Sequence, residues 1–109
     1  ELHNDFDVKH YTIRTLMEEN NVDKIDLLKL DCEGGENGLL RDDCADLDIL
    51  ENTTAIMGEW HGFEDYSEDL PTHSLLFNKL LDLLQETHNC WMHDPIKNDG
   101  LGIFGFVKK

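Results

Sequence analysis

Asp31, Glu33 and Glu36 stand close together in the sequence, with Gly34 and Gly35 between the last two, and Glu59 and His61 follow further on. Carboxylates and an imidazole are the groups that remove or donate protons and orient a substrate hydroxyl. Asp31 and His61 are the candidate catalytic pair, with Asp31 as pocket-lining acid, hydroxyl-positioning acid or general base and His61 as general base. Glu33 and Glu59 are the candidates to line the substrate. Glu36, one turn further on, reads as a structural acid near a helix start, where amide dipoles favour negative charge. Asp31 and His61 would also be ligand types for a divalent cation, but a lone histidine rarely is one, and no metal site is assigned.

The residues before each group of acids explain how they would be presented. Ile25, Leu27, Leu28 and Leu30 form a short, nearly continuous apolar run, the pattern of a strand buried on both faces. Residues 54–60 read as a second strand, and it too ends in polar residues and a glycine, Gly62. A helical stretch from Gly34 to about Leu50 separates the two, weakened near Asp42-Asp43. Strand, helix and strand make a βαβ unit of ~30 residues or a little more. The crossover makes the strands parallel. Asp31 and Glu33 then emerge on the same sheet edge as Glu59 and His61. Ligands of open α/β sheets bind at such carboxyl ends.

The remaining chain is read in the same way. Thr12 caps a helix from Ile13 to about Asn20, stopped by Asn20-Asn21. Residues 63–70 form an acidic loop, a solvated surface in preference to a lid. Residues 71–88 hold the clearest helix, with Leu76, Phe77, Leu80, Leu81, Leu83 and Leu84 as its apolar stripe. Residues 90–93 and 101–107 close the chain as an antiparallel hairpin around the turn Asn98-Asp99-Gly100. Trp60 reads as core. Lys29 reads as paired with a nearby acid, and His3, His10, His73, His88 and His93 as surface residues.

Composition limits the partners. The 109 residues suit one domain, and 24 acids against 9 basic residues give a formal net charge of -15. That balance excludes a phosphate-backbone partner, so no nucleic acid is expected, and it disfavours an anionic membrane surface. No run approaches the ~20 apolar residues of a membrane span. Cys32, Cys44 and Cys90 are widely spaced, which indicates neither a disulfide framework nor a zinc site. The expectation is a reduced, cytoplasmic protein without a secretory leader.

The stretch Ile25-Asp26-Leu27-Leu28-Lys29-Leu30-Asp31-Cys32-Glu33-Gly34-Gly35-Glu36 resembles the Asp-hydrophobic-hydrophobic-Lys-hydrophobic-Asp-x-Glu-Gly-x-Glu signature of the FkbM-type methyltransferases. Thr15-Leu16 resembles the Thr-Leu helix start of that family, and Glu59-Trp60-His61 resembles its Glu-x-His. The resemblance implies an α/β fold, the C-terminal half of a Rossmann-like methyltransferase sheet: a parallel βαβ unit, a long helix and a terminal antiparallel hairpin. It implies S-adenosylmethionine as cofactor of the complete domain and a small-molecule methyl acceptor, with oxygen as the expected acceptor atom. No glycine-rich turn follows a strand here in the manner of a cofactor loop. Residues 1–109 are therefore expected to be a single partial domain, inactive alone, and no cofactor-binding residue is assigned. The alternative is a non-catalytic α/β module that forms a homodimer through an uncovered sheet edge or pairs with a missing N-terminal half.

Overall fold

A computed structural model describes residues 11–32, 36, 38–40, 44–61, 70–94 and 101–109. Helix α1 (Ile13–Glu19) begins where the Thr12 hydroxyl accepts the Thr15 backbone N–H at 3.0 Å. It ends where the Asn20 side chain donates to the Leu16 carbonyl at 2.8 Å and Asn21 turns left-handed, with φ 55°. Strand β1 (Leu27–Leu30) follows. Residues 38–40 wind into a 3-10 turn, and buried Cys44 takes a positive φ of 60° just before α2 (Leu47–Asn52). The long crossover helix expected from Gly34 is thus reduced, among the described residues, to a turn and six helical residues. The reversal at Cys44 falls beside the Asp42-Asp43 weakness seen in the sequence.

Strand β2 (Ala55–His61), helix α3 (Leu70–Leu84), strand β3 (His88–Asp94) and strand β4 (Leu101–Lys108) complete the chain. The sheet order is β1-β2-β4-β3. β1 and β2 are parallel, as the crossover required, and β4 runs antiparallel to both β2 and β3. The mixed α/β architecture and parallel βαβ unit are those of a Rossmann-like sheet. The acidic loop at 63–70 falls almost wholly outside the described residues, as do Gly34-Gly35 and the turn at 95–100.

The core lies on one face of the sheet. Leu30, Ile56, Trp60, Phe104 and Phe106 turn toward Leu50 of α2 and toward Phe77, Leu80 and Leu84 of α3. Aromatic edges meet aromatic faces in its three tightest ring pairs: Trp60 and Phe77 have ring centroids 5.2 Å apart, Phe77 and Phe104 5.5 Å, and Phe104 and Phe106 5.7 Å. Such tilted pairs add about 0.5–1.5 kcal/mol each beyond their buried area. On the other face Leu27, Met57, Ile103 and Val107 are exposed. Strand β1 is therefore not buried on both faces as its sequence predicts. It sits at an edge of the described sheet, and the described helices cover one side only.

Two local results correct the sequence reading. Helix α3 ends at Leu84, not near His88, because Thr87 turns back onto the Leu84 carbonyl and His88 joins the sheet opposite Lys108. No glycine or proline marks that stop in the sequence. His88 is buried, not on the surface: its Nε2 donates to the Thr53 carbonyl at 2.7 Å, and Nδ1 lies 2.8 Å from the Thr87 hydroxyl. The imidazole so joins the entry of β3 to the segment between α2 and β2. Outside the core, Arg14 of α1 reaches Asp48 of α2 at 2.6 Å. The guanidinium holds the Asp48 carboxyl below its ordinary range. Its contribution is therefore present at neutral pH and lost as the pH falls through that range. Both side chains are exposed, which keeps the effect small and salt-sensitive.

The glycines and His88 yield tests. A Cβ on Gly58 would lie 1.8 Å from the Leu30 carbonyl oxygen, whereas nothing lies within 4 Å of one on Gly38. Gly58→Ala should cost at least about 2 kcal/mol in denaturant unfolding, and Gly38→Ala about 0.5 kcal/mol or less in either direction. His88→Ala should cost about 2–4 kcal/mol, since it opens a cavity and strands the Thr53 carbonyl. His88→Gln should recover part of that loss by supplying a donor.

Candidate active site at the carboxyl ends of β1 and β2

The parallel register sets Leu30 beside Gly58. The next residue on each strand is an acid, Asp31 on one and Glu59 on the other. A side chain on Gly58 would force the strands apart at Leu30, so the missing Cβ lets β1 and β2 approach closely just before these acids. Asp31 and Glu59 line one depression of about 230 Å³ on the open face of the sheet. Lys29, Met57, Trp91 and Ile103 complete most of its wall. Asp31 is exposed and Glu59 half-buried, so both can meet a ligand without a large desolvation cost.

His61 occupies the last position of β2, opposite Leu101. The backbone thus carries it to the strand end expected from the sequence. Glu33 lies outside the described residues. Glu36 is buried, which agrees with a structural role. Lys29 is exposed on the same wall as the acids, two residues before Asp31 on its strand. Trp60 is fully buried against Phe77, as core. Among the described residues no group of three His, Cys, Asp or Glu side chains gathers as a metal site would require.

Sequence reasoning passed over Trp91, Met57 and Ile103. The register explains them. Trp91 pairs with Gly105 across β3 and β4, and Met57 pairs with Gly105 from the other side. A Cβ on Gly105 would meet the Trp91 ring at 2.4 Å, so the indole lies over the glycine and keeps its opposite side open. A tryptophan and a glycine fourteen positions apart in an alternating hairpin were the available signal, but reading it needs the pairing first.

A second cleft, about 270 Å³, is lined by Arg14, Met17, Lys24, Ile25, Asp48 and Ile49, among others. It lies beside the residues that lead into β1, at the opposite end of the strand from the acids. The Arg14–Asp48 pair already occupies its rim. The smaller depression is the better candidate because it joins strand carboxyl ends, acids and an exposed aromatic ring.

Residues 1–90 match the family described as the Methyltransferase FkbM domain. The chain belongs to the FkbM methyltransferase family. No curated protein and no solved structure gives a significant match. The family match points to methyltransferase activity, and the family in general uses S-adenosylmethionine. The described residues of this FkbM chain do not by themselves fit that whole cofactor. The depression falls below the ~300–1,000 Å³ of a pocket for a drug-sized ligand, and among the described residues its wall holds no glycine-rich turn.

Gly105→Ala should lift Trp91 from the sheet and reshape this wall. The expected readout is stronger acrylamide quenching of the exposed tryptophan, with far-UV circular dichroism unchanged. Trp60, fully buried, supplies the internal reference.

Proposed function

We propose that this chain provides the acceptor side of an S-adenosylmethionine-dependent methyltransferase site and that the methyl group goes to an oxygen. The observation that carries this reading is the convergence of Asp31 and Glu59 on one depression at the carboxyl ends of two parallel strands. The cofactor, when bound, supplies an electrophilic methyl group. The protein's task is then alignment of the acceptor and removal of its proton. In this reading Asp31 accepts a hydrogen bond from the acceptor hydroxyl and His61 takes up the proton. Glu33 and Glu59 line the acceptor, and the apolar side chains Met57, Ile103 and Trp91 hold its carbon frame. The donor side belongs to the N-terminal half of the family domain, so this chain is read as the C-terminal part of that domain.

Calorimetry and a methyl-transfer assay test the proposal. The chain joined to an FkbM N-terminal half should bind S-adenosylmethionine, whereas the chain alone should not. In the joined protein, Asp31→Asn should lower kcat by about 10²-fold or more, with cofactor affinity nearly unchanged. Glu59→Gln should act mainly on acceptor KM. Failure of a correctly folded joined protein to bind the cofactor would sink the enzymatic reading.

A further inference from the structure

We infer that the acceptor bound at the depression is an organic cation carrying a hydroxyl, of the amino-alcohol class. Its ammonium sits between Glu59 and Trp91, and its hydroxyl meets Asp31. This rests on the reading of the depression as the acceptor side of a methyltransferase site. The register lays out the wall in two rows. Lys29, Met57, Gly105 and Trp91 pair in succession across the four strands. Asp31 and Glu59 follow the paired residues Leu30 and Gly58, and Glu59 pairs with Ile103. These three make the next row, toward the carboxyl ends of β1 and β2. Side chains from both rows border the same depression.

Charge decides which ligand suits this wall. Two carboxylates and one ammonium line it, in a chain of net charge -15. An anion beside Lys29 would meet one attracting charge at about 3 Å and two repelling ones about 7 Å away, two residues further along the strands. Coulomb energy falls as the reciprocal of distance, so these nearly cancel, and the rest of the chain repels the anion. An ammonium beside Asp31 and Glu59 reverses every sign. Two charges attract it at contact, one repels it from a row away, and the acidic chain draws it in. Asp31 and Glu59 already have partners within the molecule. A carboxylate offers about four lone-pair positions, so room remains for a further donor.

Trp91 supplies an independent feature. Its indole lies over Gly105 with the outer side open, at 44% exposure. An aromatic face attracts a cation and gives a neutral or anionic group no such gain. Met57 and Ile103 give the carbons of the ligand an apolar surface. Neighbouring strands lie about 4.8 Å apart, so the Asp31 and Glu59 positions suit a hydroxyl and an ammonium about three or four bonds apart. A protonated nitrogen has no lone pair, so the hydroxyl oxygen is the atom that attacks the methyl group.

Titration of the full chain with three probes of one carbon frame tests this. Protonated aminomethylpropanol, neopentyl alcohol and hydroxypivalate share a hydroxymethyl group on a dimethyl-substituted carbon. They end in an ammonium, a methyl and a carboxylate. Affinity is read from the NMR signals of each probe, and its place from the shift of the Trp91 indole N–H. The ammonium probe should bind at least about tenfold tighter than the neutral one, with the carboxylate probe weakest. Glu59→Gln should reduce that preference to about threefold or less, and Trp91→Leu should cut it about two- to fivefold. Lys29→Met should tighten the ammonium probe about threefold. If Glu59→Gln fails to fold by circular dichroism, the other two variants decide. Equal affinities overturn the proposal, as does a tighter neutral or anionic probe, or no binding by any of the three. So does an ammonium preference that folded Glu59→Gln leaves untouched, since its site lies elsewhere. Such a failure leaves the methyltransferase reading standing, because that reading is decided by cofactor binding of the joined protein. A joined protein that binds no cofactor, with the ammonium preference intact, removes the reaction and keeps the ligand class.

Discussion

The contact of Trp60, Phe77, Phe104 and Phe106 is what the rest of the structure depends on. It ties β2 and β4, the two interior strands of the described sheet, to α3 through edge-to-face contacts of Phe77 with Trp60 and Phe104 and a tilted contact with Phe106, with all four rings buried. Trp60, Phe104 and Phe106 face the core at alternating strand positions, so burying them leaves the intervening residues on the opposite face. Met57, Glu59 and Ile103 owe their positions on the open face to this alternation. A slip of one residue in the β2–β4 register would exchange the core and the candidate site.

The second constraint is the glycine pattern of the same strands. Gly58 permits the close approach of β1, and Gly105 permits Trp91 to lie on the sheet. Neither glycine is needed for a turn. Each clears the space into which a neighbour moves, one a carbonyl and the other an indole. The interior strands thus give up side-chain packing at two points and gain the shape of the depression in return.

The family match covers residues 1–90 and so includes β1 and β2, the strands that carry Asp31 and Glu59. The open face beside them is unusual for so acidic a chain: its apolar side chains sit with one lysine and two carboxylates in a shallow wall. No described helix is long and apolar enough to cross a membrane, so this exposed apolar surface is not part of a spanning helix.

Much of the fold was legible because it is local. The Thr12 cap, the Asn20-Asn21 stop, the order of helices and strands and the parallel βαβ unit all follow from short-range patterns and from the length of the crossover. The acids at the ends of β1 and β2 were equally legible, since strand alternation and parallel direction place them at one edge. What lay beyond the sequence depends on pairing between distant segments. The burial of His88 needs the carbonyl of Thr53, thirty-five residues away, to accept a hydrogen bond from its Nε2–H. The stop of α3 at Leu84 follows from the pull of that histidine into the sheet, with no local breaker to announce it. Trp91 enters the candidate site only because β4 inserts between β2 and β3 and sets Gly105 beneath the ring. The sequence by itself determined which elements form and which strand ends carry the acids, because those depend on neighbours a few residues apart. The tertiary structure alone decided which face is covered, which histidine is buried and which aromatic ring joins the acids, because each rests on long-range register.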